Sequence, residues 1–422
     1  MKTRTVIILL AFIIIVIVVG LLVIFNKVGP QGELGPDGEP TSFINRFFPF
    51  GDSNTPSGTN IPNTGGTPNQ NDPSVADSGL ALQQLSLVAI SGYGGSTTPK
   101  GPIVRYVEKS TGNVHEVVVD PVSTKRITNT TIPRTAESFF NADLTKVIMR
   151  YLNEEKEIRT FLGTIAPTGT SSDQIVEIRG TYLQDGVEQV TPIGGGEAFI
   201  YGVANNLQED VYGSRFSDNE TKVFTSPFVG FIYQNPSEDI VTATTKPASD
   251  TNGYMYTLNS AGFFEKTLGG YKGLTTNTNN DGSRTLAFVN QDNGPTTLVY
   301  NKDTNSFQDL GVSILPEKCV WSSQDNTIAY CGISYAFAPN VHPDLWYYGS
   351  MHFDDLIWLV DTDLGTIKEL VNPKDFSSSI DVTNVMLSES EDYLYFVNKI
   401  DGTLWSLELD PLPIENEPVT GE

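Results

Sequence analysis

The residues equipped for chemistry are few and scattered. In 422 residues there are two cysteines, Cys319 and Cys331, and three histidines, His115, His342 and His352. No histidine pair has the HExxH spacing of a zinc hydrolase. No Gly-x-Ser-x-Gly elbow presents a nucleophile, and no glycine-rich loop is spaced to cradle phosphate. Asn277-x-Asn279-x-Asp281-Gly282 begins like a calcium loop, but the twelfth position, which needs a bidentate acid, is Phe288. Asp361-Thr362-Asp363 fits a plain hairpin turn, because Asx turns demand the same residues. The acidic pair Asp354-Asp355 reads as a solvated turn. These patterns predict no catalytic set, no metal and no cofactor.

Two features remain as candidate sites. Cys319 and Cys331 flank the turn 322–326 symmetrically. If the residues on either side pair as a hairpin, their Cα atoms face each other about 4.5 Å apart, near the lower end of disulfide geometry. Two buried thiols packed as small hydrophobes are the alternative. The second feature is the segment 334–353, which holds Tyr335, Phe337, His342, Trp346, Tyr347, Tyr348, His352 and Phe353. Large rigid rings in a long loop suit a partner-binding surface. They suit equally a lid over the end of the sheet that carries them.

The elements that position these residues are short strands. Beyond residue 80, apolar runs with period-2 alternation alternate with polar turns. Turn-plus-strand units begin at Asn141, Asn235, Asn279, Ser322 and Ser388, at separations of 94, 44, 43 and 66 residues. The first gap is two periods of 47, with the turn Gly194-Gly195-Gly196 near its middle, and the last is one period plus an insertion. A unit of 40 to 50 residues with four strands is the mark of a propeller blade. The count predicts an all-β, seven-bladed β-propeller over 80–411, with six or eight blades as alternatives. The final unit ends at Leu404-Trp405-Ser406-Leu407-Glu408-Leu409, one strand short. Leu82-Gln83-Gln84-Leu85-Ser86 is placed to supply that strand and close the ring, removing an open sheet edge.

The repeats resemble TolB-like, WD-repeat-like propellers of bacterial envelopes. The family's pattern is an apolar run, Ser-Pro-Asp-Gly, then a second apolar run. Here Asp281-Gly282 keeps the Asp-Gly pair and Asn235-Pro236-Ser237 keeps the proline. The resemblance covers about 330 residues and implies the fold. TolB-like periplasmic proteins carry an N-terminal domain of their own, so a place in a Tol complex does not follow. An anchor, a polar linker and a propeller together resemble surface propellers of small-genome bacteria, and for those the resemblance supplies no activity.

Residues 1–27 read as a membrane anchor. From Val6 to Phe25 there are twenty residues without a charge, which as a helix would be about 30 Å long, matching a bilayer's hydrocarbon core. Lys2 and Arg4 on one side and only Lys27 on the other place the N-terminus in the cytoplasm and the remainder outside. A cleavable signal would have a shorter apolar run and a small-x-small site, which Leu21 to Lys27 lacks. Residues 28–79 form a Gly/Pro/Asn/Thr-rich flexible linker with a reach of about 40 Å. Its apolar island, Phe43 to Phe50, suits rest on a bilayer interface or on the domain itself, or docking to another membrane protein. An acidic tail, 412–422, ends the chain.

The chain holds 50 acidic and 26 basic residues, for a net charge of −24. Such a surface repels phosphate backbones, which excludes nucleic acid as a partner. The expected function is a membrane-tethered, extracytoplasmic recognition or scaffold module of the cell envelope, binding a protein or a surface glycan. The alternatives are a carbohydrate-active propeller enzyme with carboxylates in the central channel, or a structural subunit of an envelope complex.

Overall fold

The structure, a computed structural model, describes residues 81–410 apart from 166–174, 195, 206–207, 217–218, 259–261 and 335–343. The proposed anchor 1–27, the linker 28–79 with its Phe43–Phe50 island, and the tail 412–422 lie outside the described residues. Among the described residues no helix is long and apolar enough to cross a membrane.

The described strands form seven four-stranded antiparallel sheets. Six are built from consecutive strands, over 90–126, 135–182, 187–226, 231–272, 275–309 and 319–371, here called blades one to six. The seventh combines Val382–Leu387, Tyr393–Asn398 and Thr403–Glu408 with Leu82–Gln84 from the start of the domain. Leu82 pairs with Leu407 and Gln84 with Trp405, so the ring closes with the N-terminal strand on the outside. This is the seven-bladed, ring-closing arrangement expected from the repeat.

The turn chemistry explains the repeat. The Asn141 side-chain oxygen accepts from the Lys146 amide at 2.7 Å, and Asn279 accepts from the Arg284 amide at 3.0 Å. Ser388 accepts from the Tyr393 amide at 3.0 Å. Each ties a turn between the first and second strands of its blade, five residues apart, so a short polar side chain is required there. Asp281 accepts from the Ser283 amide and Asn279 donates to the Asn326 carbonyl of the next blade. The calcium-like pattern is therefore occupied with turn and inter-blade bonds. Asp361 likewise accepts from the amides of Asp363 and Leu364.

Each seam between adjacent blades is filled by one apolar cluster. The first strands of neighbouring blades approach one another around the axis. At the seam of blades one and two the approach demands glycine: a Cβ on Gly92 would lie 1.9 Å from the Ser138 carbonyl oxygen.

Antiparallel order fixes two ends of the ring. Connections between second and third strands, and from one blade to the next, share one end. First-to-second and third-to-fourth turns share the other. The insertion joins the second strand of blade six, Ile328–Ile333, to the third, Leu356–Asp361. It therefore rises from the end where blades connect.

Candidate functional site

Cys319 and Cys331 are direct partners across the first two strands of blade six, with Cα atoms 4.2 Å apart, and they are bonded as a disulfide. Both are buried in the seam with blade five, beside Trp321, Leu286 and Val299.

The described part of the insertion, 344–353, crosses the ring. Its short helix, Asp344–Tyr347, starts over blade four, where the Asp344 carboxylate accepts from the Ser249 amide and hydroxyl. Trp346 then reaches blade seven: its indole N–H donates to both Asp381 oxygens at 2.9 Å. Blades four and seven are as far apart as members of a seven-membered ring can be, so the helix spans one mouth of the channel. Between them, the Tyr347 hydroxyl donates to Glu317 at 2.6 Å, ahead of blade six. Trp346 and Phe353 pack on Phe288 and Leu315 as a separate apolar cluster.

Beneath this lid lies a buried ionic cluster. Lys318 donates to Asp355 at 2.5 Å and to Asp381 at 2.6 Å, and all three side chains are at most 2% exposed. The Phe353 amide also donates to Asp381, and the Val382 amide to Asp355. Lys399 donates to the Trp346 carbonyl and sits 3.6 Å from the centre of the indole ring, a cation–π contact. Lys318 lies 4.6 Å from the Phe353 ring centre. Asp354 makes the exposed ion pair with Lys374. Its neighbour Asp355 is buried, which corrects the reading of both as a solvated turn: the chain passes under the lid at this point.

Burial is the largest cause of the shifts at Asp355, Glu317 and Lys399. It pushes the Asp355 carboxyl up to about 6, with Lys318 opposing and Asp381 adding to the shift. One Asp355 oxygen, Oδ1, has no hydrogen-bond partner. Burial also raises Glu317, against its hydrogen bonds from Tyr347 and Thr275. It lowers Lys399 to about 7, although Asp381 and Glu317 favour the charged form. Two groups with opposite charges are thus poised near neutrality, in a place the lid covers.

Of the residues expected in the binding loop, Trp346 and Phe353 are buried, Tyr347 is half-buried and Tyr348 is exposed. Tyr335, Phe337 and His342 lie outside the described residues. His352 is partly exposed, 3.5 Å from Asp381. His115 is remote, stacked on Tyr106 and 3.4 Å from Glu108, and burial lowers its pKa. Among the described residues, no group of three or more His, Cys, Asp or Glu could share a metal ion.

No protein-family model matches the chain, and no curated protein matches it in sequence. Solved structures do match in fold. An oligogalacturonate lyase from Vibrio parahaemolyticus aligns with a TM-score of 0.51 at 10% identity, over 80% of this chain and 95% of the lyase. TolB from Acinetobacter baumannii aligns at 0.40 and 11% identity, over 66% of this chain and 63% of TolB. The β-propeller domain of Cps50 (Swd1) from Myceliophteria thermophila aligns at 0.47 and 9% identity, over 78% of this chain and all (100%) of that domain. At such identities the likeness speaks to fold alone. The chain is a seven-bladed β-propeller.

Proposed function

We propose that this propeller is a recognition module that binds a protein partner through the end of the ring that carries the lid. One observation carries the reading. Fourteen large apolar side chains are exposed among the described residues, and seven of them gather at that end. They are Leu87 and Val88 between blades seven and one, Phe228 and Val229 between blades three and four, Leu345 and Tyr348 on the lid, and Ile400 in blade seven. The opposite end has four, Val122, Ile175, Phe263 and Leu364, each in a different blade. Exposed apolar groups drawn from several connections, on a frame bridged by the lid, are what a protein interface uses.

The uncharged run from Val6 to Phe25 and the polar linker support a membrane tether for the propeller. The Cys319–Cys331 disulfide suits an oxidising, extracytoplasmic setting. The test is photo-crosslinking in intact cells from position 348, with position 364 on the opposite end as control. One protein captured from 348 and absent from 364 supports the reading. Equal capture from both, or none, refutes it.

A second reading has its own observation: Asp355 and Lys399, poised at about 6 and about 7, are the kind of groups an active site uses. A carbohydrate-active enzyme built on them must open the lid to admit substrate. Glycan turnover by the purified chain that Asp355→Asn abolishes would establish it.

A further inference from the structure

The seam between blades four and five departs from its neighbours. At the lid end it is apolar, filled by Leu268, Leu274, Ala287 and Val289. At the other end it opens into a cavity of about 260 Å³. The rung beside the first turn shows the change of chemistry. That rung is Phe140–Val147 in blade two, Trp321–Ala329 in blade six and Leu387–Leu394 in blade seven. In blade five it is Thr278–Thr285. Blade four answers with Thr242 paired to Thr257, and with Thr267 beside them. Five threonines therefore line a place where blades two, six and seven carry hydrocarbon.

The hydroxyls are arranged with capacity to spare. Thr257 and Thr267 form one hydroxyl pair at 2.7 Å, and Thr278 and Thr285 another at 3.0 Å. Within each pair one hydroxyl donates and the other retains its proton for a third group. Thr242 is 1% exposed, and its Oγ1 has no hydrogen-bond partner. A buried polar atom left unpaired costs about 1–3 kcal/mol, so its retention in an inter-blade cavity calls for an occupant. At the lining, Asp239 and Glu265 are balanced by Lys266 and Lys302. Balanced charge disfavours an anion or a cation and leaves hydroxyl recognition as the dominant chemistry. The volume falls just under the ~300 Å³ floor of drug-sized sites, which suits one ring and not an oligomer. Ile240, Met255 and Leu258 supply an apolar patch for C–H groups.

We propose that this seam binds a neutral, polyhydroxylated ligand of about the size of one monosaccharide. The site is at the opposite end from the lid and stands independently of the protein-binding reading. The test is titration of the full-length chain, by calorimetry and saturation-transfer NMR, with the methyl glycosides of glucose, galactose, mannose and N-acetylglucosamine, and with myo-inositol. At least one is expected to bind one-to-one. Thr242→Val, nearly isosteric and deprived only of an unpartnered hydroxyl, is expected to melt no lower than the wild type and to bind about tenfold more weakly, the loss for one hydrogen bond. Thr242→Leu, which fills the cavity, is expected to abolish binding. A panel of which no member binds overturns the proposal, leaving the cavity to water. Binding that Thr242→Val leaves unchanged overturns it as well, and this arm stands even where Thr242→Leu fails to fold.

Discussion

Replacing Lys318 by methionine tests the buried cluster most sharply. Lys318 is the shared counter-ion of Asp355 and Asp381, at 2.5 and 2.6 Å. Methionine keeps the length of the side chain and removes the charge, leaving two carboxylates enclosed against one another. Breaking a buried pair in this way costs about 3–5 kcal/mol. A domain of roughly 330 residues has an unfolding entropy of roughly 0.7 kcal/mol per degree, so the expected fall in Tm is about 4–7 °C. The effect must depend on pH. Asp355 already titrates at about 6, and without Lys318 it rises further, so in acid it is neutral and the loss shrinks. Melting of wild type and Lys318→Met at about pH 8 and about pH 5 should show the larger gap at the higher value. Equal melting temperatures at about pH 8, or a gap independent of pH, would refute the assignment of charge to this cluster.

Three other outcomes follow from the same geometry. Lys399 is held at about 7 against an ordinary 10.5, so between these values the unfolded chain keeps a proton the folded chain has released. Stability should rise with pH through that window by up to about 1.4 kcal/mol per pH unit. Asp355 works in the opposite sense from 3.8 to about 6, where stability falls as pH rises. Urea midpoints across pH should show both slopes, and Lys399→Met should remove the upper one. Converting both Cys319 and Cys331 to serine opens a link between residues 12 apart, which on chain entropy costs about 3 kcal/mol, read as a lower Tm. Removing residues 1–86 deletes Leu82–Gln84 and bares the outer edge of Thr403–Glu408. Light scattering should then show self-association, as an unpaired edge invites.

The ring was legible in the sequence because its turns carry position-specific chemistry. Asn141, Asn279 and Ser388 each bind an amide five residues on, and such a requirement leaves a mark at every blade. The closing strand was legible because the last unit lacked a partner that Leu82–Gln84 matches. The facing of Cys319 and Cys331 across one hairpin was legible from their symmetry about the turn, whereas the bond between them was one of two readings. The ionic cluster left no such mark. Lys318, Asp355, Asp381 and Lys399 are spread over four connections, and each alone reads as an ordinary surface charge. Only the passage of the chain under the lid buries them. The same crossing takes Trp346 and Phe353 inside, whereas Tyr348, in the same aromatic run, stays outside. Aromatic density alone does not distinguish the two. The threonine-lined seam was invisible for another reason: threonine is a good strand former, so Thr242 and Thr285 look like ordinary strand residues.

The most direct measurement compares two lid variants for both melting and partner capture. Leu345→Ser with Leu87→Ser changes only side chains exposed at the lid end and leaves position 348 for the photo-probe, whereas Trp346→Ala removes the indole that grips Asp381 and Lys399. If this end of the ring recognises a protein, the first variant melts as the wild type and loses the crosslinked partner, while the second lowers Tm. Undiminished capture by the first variant would contradict recognition through the lid end.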